Sequence, residues 1–326
     1  MTRFVIHAAS ILVGSLLSCA VTSTQAAAYP ERPIRFVVPV PPGGGNDIMA
    51  RFLAQKLTEK WSQQVVVDNR PGAATTIGSD IVAKAAPDGY TIMLSSASFA
   101  INAALRQGRL PFDPIRDFAP ITLAARVPQV IVVHPAVAAR TLPEFIALAK
   151  SKPGQIDYAS AGTGSSSHLA MEIFTDMAGI SLHHVPYKGT APGLNDLMAG
   201  HVSICFDAIA PALGYIKGGK VRALAVVSPR RTAALPDVPT FAESGLPKYT
   251  FVSWFGIYAP ARTSREIIDK LNTELVRILQ LPETQERFTR LGIDTAGTSP
   301  DELGAHLRSE IAQYSAIVRQ RNIRAE

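Results

Sequence analysis

The stretch Val37–Arg51, VVPVPPGGGNDIMAR, decides how this chain is read. An apolar strand in which Ile34, Phe36, Val38 and Val40 alternate on one face runs into Pro41-Pro42-Gly43-Gly44-Gly45. Asn46 or Asp47 then stands where a helix is capped. Ile48, Phe52 and Leu57, with Met49 and Leu53 beside them, form its predicted inner face. Glycines carry no Cβ, so their backbone N–H groups can turn toward one point and a ligand can come close. The helix behind them adds its positive end, which suits the loop to a small anion. A tight βα turn that binds nothing has the same local signature, so the choice rests on the rest of the chain.

The chain has 326 residues and a formal charge of +6. Arg3, an apolar run from Phe4 to Val21 and Ala26-Ala27-Ala28 read as a cleaved secretory signal over residues 1–28. Lipoprotein anchoring at Cys19, against an ordinary cysteine inside the signal, is a weaker reading, and so is a permanent membrane anchor, because His7 and many small residues suit a buried span poorly. Removing it leaves 298 residues, enough for about two domains, and lowers the charge to +5 because Arg3 is lost with it. Only Cys205 then remains, inside the apolar run Val202–Phe206, where a buried inert thiol is expected. No dense Lys/Arg block is present, which argues against nucleic acid as a partner.

Apolar strands and helical stretches alternate through most of the chain. Strands are predicted at Gln64–Asp68, Tyr90–Leu94, Val130–Val133, up to Tyr158, at Val202–Phe206, Val221–Val227 and Trp254–Tyr258. Helices are predicted to follow the Asn69-Arg70-Pro71-Gly72 turn, to span Leu142–Lys150 behind Thr141 and Pro143, and to fill roughly 264–280, 282–291 and 300–320. This βα alternation predicts an α/β fold with parallel sheets, in which ligands gather at the carboxyl ends of strands. Ser95–Ser98 follows one predicted strand end. Ser160–His168 (SAGTGSSSH) is a second glycine-rich loop opening a helix, about 120 residues after the first. The separation places one loop in each of two lobes, facing across a cleft.

Catalytic signatures are weak. No serine sits in a Gly-x-Ser-x-Gly elbow, and Ser167-His168 are too close in sequence for an assembled triad. Gly162-x-Gly164-x-x-Ser167 lacks the third glycine of a dinucleotide loop, and Lys188 lies outside any Walker frame. His183 and His184 point to opposite faces of a strand and cannot chelate together, so no metal is expected. Asp207, at a strand end, either accepts from a ligand hydroxyl, ammonium or bridging water, or caps the next turn. Asp47 is better placed to cap its own helix than to meet an anion.

The motifs resemble one family closely. Pro41–Asp47 with Ala50-Arg51, Asn69–Ala73, Ala86–Thr91 and Leu110–Pro114 are similar to the Bug family, the substrate-binding receptors of tripartite tricarboxylate transporters. So are Gly162–His168, His184–Gly189, Phe206-Asp207, Arg222–Val226, Leu235–Thr240 and Trp254–Gly256. The resemblance runs through essentially the whole mature chain. It implies a type II periplasmic binding-protein fold, with two α/β lobes, each a central sheet flanked by helices, joined by two crossover strands. Lobe 1 would be 29–128 plus 252–326 and lobe 2 would be 129–251.

The ligand residues the resemblance implies are Gly44, Gly45, Asn46 and Asp47; Ser96, Ser98 and Phe99; Thr163, Gly164, Ser165, Ser166 and His168; Tyr187, Lys188 and Gly189; and Asp207. Two departures stand out. Ala73-Ala74-Thr75-Thr76 replaces a more glycine-rich run, which unsettles the backbone there. Phe99 stands where many relatives carry a small or polar residue, and a ring in the cleft would favour an aromatic acid. The expectation is a monomeric periplasmic receptor that closes over a di-, tri- or aromatic carboxylate and delivers it to membrane transporter subunits. No cofactor or catalytic residue is expected. A sensor kinase as the membrane partner, or a secreted enzyme acting on the same acids, are the alternatives.

Overall fold

The structure, a computed structural model, describes residues 29–320 and 323. The expected leader, with Cys19, lies outside the described residues. From the first of these the chain runs β1 (Ile34–Val38), α1 (Gly45–Trp61), β2 (Val65–Asn69), a 3-10 turn at Ala73–Thr75, α2 (Thr76–Ala83), β3 (Thr91–Ser96), α3 (Ser98–Arg106) and β4 (Phe118–Val127). Pro128 alone separates β4 from β5 (Gln129–Val133). The chain continues through α4 (Leu142–Ser151), β6 (Asp157–Ser160), α5 (Ser166–Ala178), β7 (His183–Pro186), α6 (Thr190–Ala199), β8 (Ile204–Ala208), α7 (Ile209–Lys217) and β9 (Arg222–Val227). It returns through β10 (Ser253–Pro260) to α8 (Arg265–Leu279), α9 (Pro282–Arg290), β11 (Asp294–Thr295) and α10 (Pro300–Gln320).

Two sheets result, ordered β11-β4-β10-β3-β1-β2 and β7-β6-β8-β5-β9. They are mixed, where parallel sheets were expected. β1 runs parallel to β2 and β3, and β6 to β7 and β8, as right-handed βαβ crossovers dictate. β10 is antiparallel to β3 and β4, and β5 to β8 and β9. The direction of these strands is set by the two passages between sheets. β4 was not anticipated, because its flanks read as turns and Pro120 lies within it. The proline is tolerated because β11 pairs only as far as Ala125 and Arg126, which leaves that end of β4 an edge.

Helices cover both faces of each sheet, so the strands are buried on both sides. Ile34, Phe36 and Val38 pack with Met49, Leu53 and Leu57 of α1 and Leu271, Leu275 and Ile278 of α8. Val37 and Met93 point the other way, into a cluster with α3 and α10. The inner face of α1 therefore carries Met49 and Leu53, and Ile48 is only half-buried. In the second sheet Val130, Val132 and Cys205 face α6 and α7, while Ile131, Val133 and Phe206 face α4 and α5. Cys205 is a free buried thiol whose pKa is pushed up by burial. Among the described residues no helix is long and apolar enough to cross a membrane.

Phe99 is corrected by the fold. Its ring is 1% exposed, stacked on Phe112 at 5.8 Å and set edge-on to Phe118 at 5.0 Å. α3 begins at Ser98, so Phe99 turns inward to this aromatic cluster while Ser98 faces the cleft. The ring cannot select an aromatic ligand by contact. Phe99→Leu should lower the unfolding free energy by about 1–2 kcal/mol in chemical denaturation and leave the ranking of aliphatic over aromatic acids as in the parent. A changed ranking would return the ring to the binding surface.

Candidate ligand-binding cleft

One cavity of about 470 Å³ lies between the sheets, and both glycine-rich loops open onto it. Gly44, Gly45 and Asn46 line it from the first sheet, and Thr163, Ser165 and Ser166 from the second. The start of α1 has no side-chain cap: Gly44, in extended conformation, is its N-cap in place of the expected Asn46 or Asp47, which lie inside the first turn. α5 is capped by Ser165, whose Oγ accepts from His168 N at 3.2 Å. Gly189 and Ala208, the N-caps of α6 and α7, also line the cavity. Four helix N-termini thus meet at one space, each carrying about half a positive charge. An anion placed there is held by dipoles and neutral donors.

Asp47 does not line this space. Its Oδ2 accepts from Gly43 N and from Arg51 Nε, both at 3.0 Å, and its Oδ1 from Asn69 Nδ2 at 3.0 Å. Burial alone would raise this carboxyl, but the Arg51, Gly43 and Asn69 bonds outweigh it and hold it below the usual carboxylate range. Asp47 therefore braces the glycine loop from behind. Asn69 Nδ2 extends the brace to Val40 O at 3.1 Å.

Gly164 and His168 are likewise behind the second loop. Gly164 N donates to His168 Nδ1 at 3.3 Å, and Gly164 O accepts from Asn102 Nδ2 at 3.1 Å, so neither backbone group is left for a ligand. His168 stacks on His184 at 4.4 Å, and His184 on Tyr158 at 4.7 Å. Burial lowers both imidazoles to about 4, with the neighbouring His168 adding to the shift at His184. Both rings are neutral near pH 7, which keeps His168 Nδ1 an acceptor for the loop. Ser160 Oγ ties the stack to the loop, at 2.7 Å from His184 Nε2 and accepting from Gly162 N at 3.1 Å.

The other candidates reach the cavity. Ser96 ends β3 and Ser98 starts α3; Ser98 Oγ accepts from Ser166 N at 3.1 Å, a direct bond between the two sheets' loops. Tyr187 and the exposed Lys188 stand on the turn before α6, with the Tyr187 hydroxyl donating to Asp196 Oδ2 at 2.7 Å. Gly189, at φ +117°, lies against the first sheet's Pro41; a Cβ there would sit 2.7 Å from the proline Cγ. Asp207 Oδ1 accepts from Ala208 N at 2.7 Å and from the Thr190 hydroxyl at 3.4 Å. Burial pushes this carboxyl up to about 7, against those two donors.

Several lining residues escaped the sequence reading. Gln129 and Ser253 sit where the chain crosses between sheets, and Arg106 closes the end of α3. Two buried atoms at this surface, Asn46 Nδ2 and Gln129 Oε1, have no protein partner. The wall Pro71–Thr75 was flagged only for its missing glycines. Ala73, Ala74 and Thr75 take φ of +45°, +49° and +82°, the left-handed conformation that costs a non-glycine residue about 1–2 kcal/mol. Gln129 was the one visible cue, a polar residue heading an apolar strand.

Residues 49–323 match the family model described as tripartite tricarboxylate transporter family receptor. The chain belongs to this receptor family. It is 37% identical to Protein BugT of Bordetella pertussis over 293 residues, 90% of each chain. Its fold matches the R. palustris Rpa4515 structure with adipate at TM-score 0.88 and 33% identity, covering 91% of this chain and 99% of that one. It also matches MatC of Rhodopseudomonas palustris with bound malate at TM-score 0.83 and 30% identity, covering 89% and 100%. The tripartite-transporter receptor described here is thus a periplasmic solute-binding protein of the type II, two-lobed architecture.

Proposed function

We propose that this receptor captures a small carboxylate between its lobes and delivers it to the membrane subunits of a tripartite tricarboxylate-type transporter. Residues 29–128 and 252–326 act as one lobe and 129–251 as the other, in a monomer released into the periplasm after loss of residues 1–28. The observation that carries this reading is the meeting of two uncapped or hydroxyl-capped helix starts, at Gly44–Asn46 and at Thr163, Ser165 and Ser166, on one cavity. The adipate and malate held by the two structural neighbours support the same ligand chemistry.

Neutral, preorganised donors suit reversible capture. At the helix starts they hold a carboxylate with an affinity on the order of micromolar, about −8 kcal/mol, without a cation buried against that group. Ligand bonds made from both lobes favour the closed form by differential binding, and that shape is what a membrane partner can read. A thermal-shift screen over aliphatic, hydroxy, amino and aromatic carboxylates tests the proposal. A true ligand at about 100 times its Kd stabilises the fold by roughly 2.7 kcal/mol. A flat response to every acid at millimolar concentration would refute carboxylate capture.

A further inference from the structure

We infer that Arg106 is the specificity-determining residue for a second carboxylate on the ligand; this rests on the receptor function proposed above. Arg106 lies four residues after Asn102 on α3, one turn along the same face. Asn102 is 2% exposed, and its Nδ2 meets three carbonyl oxygens: Ala74 O at 2.7 Å, Ser98 O at 2.8 Å and Gly164 O at 3.1 Å. Three acceptors on one side decide the amide's orientation, because its oxygen there would face only lone pairs. Oδ1 must therefore point away, and it accepts from Arg106 Nε at 3.3 Å.

The guanidinium is thereby anchored by one edge while the residue lines the cavity. No carboxylate among the described residues pairs with it, and Asp207, on the same cavity, forms no ion pair with it either. The remaining N–H fork matches a carboxylate in geometry and charge. The helix starts receive one carboxylate by neutral donors, and Arg106 receives the other as an ion. Pro41, Pro71 and Phe255 complete the wall with apolar surface suited to connecting methylenes.

The test compares diacids with monoacids of equal length (succinate and butyrate, adipate and hexanoate, suberate and octanoate) by calorimetry on the mature protein, Arg106→Ala and Arg106→Lys. For at least one pair the parent should prefer the diacid by about 10- to 100-fold, the range of a charge-assisted bond. Arg106→Ala should erase that preference while monoacid affinity falls far less, with the ligand-free melting temperature lowered by no more than a few degrees because Asn102 Oδ1 loses its donor, and Arg106→Lys should restore part of the preference. A preference that survives in Arg106→Ala overturns the assignment. So does an equal fall for both acids of a pair, which would make Arg106 only a support of α3. A parent that binds no acid of either kind removes the receptor function itself, a separate outcome from losing Arg106's role.

Discussion

Gly164→Val abolishes carboxylate capture while the protein still folds: an affinity loss of more than about 100-fold against a melting temperature lowered by a few degrees. Gly164 has φ +81°, and a Cβ there would stand 2.8 Å from Asn102 Oδ1 and 3.3 Å from Leu105 Cδ1. A branched residue at that angle is strained by about 1–2 kcal/mol before any contact is counted. The clash is the larger effect. Asn102 cannot retreat, because Ala74, Ser98 and Gly164 carbonyls all hold its amide. The loop must move instead, drawing Thr163 to Ser166 away from the first sheet and breaking the Ser166 N to Ser98 Oγ bond. The site is divided while each lobe's own core stays intact. Gly164→Ala should fall between the two. Calorimetry and melting curves measured side by side decide the matter, and full affinity in the valine variant would mean the loop does not hold ligand.

Asp207→Asn should raise stability at pH 8 and leave it almost unchanged at pH 4. The Asp207 carboxyl is raised from 3.8 to about 7, chiefly by burial, with the Ala208 amide and Thr190 hydroxyl opposing. Between these values the folded chain holds a proton that the unfolded chain has released. Stability is therefore lost as the pH rises through the window, by an amount on the order of 4 kcal/mol once the group is ionised in both states. Well below pH 4 the group is protonated in both states and no difference remains, so at pH 4 only a small residue of the effect is left. The amide keeps an acceptor for Ala208 N without the buried charge, so the loss disappears and the melting temperature at pH 8 rises by several degrees. Capture follows the same group. An ionised Asp207 beside an anionic guest is repulsive, so the parent's affinity for a diacid should weaken above about pH 7, and the variant's should not. Equal destabilisation of the variant at both pH values would show an ionised carboxylate supported in the fold. Affinity that rises with pH would assign Asp207 to a ligand ammonium.

The legible parts of the chain are those whose chemistry is local. The β1 alternation, the glycine run before α1 and the Thr141 cap of α4, which accepts from Glu144 N at 3.3 Å, need only nearest neighbours and stand where they were read, although α1 takes Gly44 as its N-cap instead of Asn46 or Asp47. β4 was missed because its direction and its tolerance of Pro120 depend on which strand lies beside it. Phe99 was misplaced because it was read as part of the loop after a strand, whereas α3 begins at Ser98 and turns that side chain into the core. Arg106 and Asn102 carried no signal, since an arginine and an asparagine one turn apart are ordinary on any helix.

By itself, then, the order of residues determined the alternation of strands and helices and the two glycine-rich turns that start helices. It also established the family, through motifs spread along the whole chain. Only the tertiary structure decided which of those turns' atoms stay free. Asp47, Gly164 and His168 spend their hydrogen bonds holding the loops, while Gly44 to Asn46 and Thr163, Ser165 and Ser166 face the cavity. The physical reason is that a polar group's availability depends on its partners. Those partners, Asn69 for Asp47 and Asn102 for Gly164, come from 22 and 62 residues away.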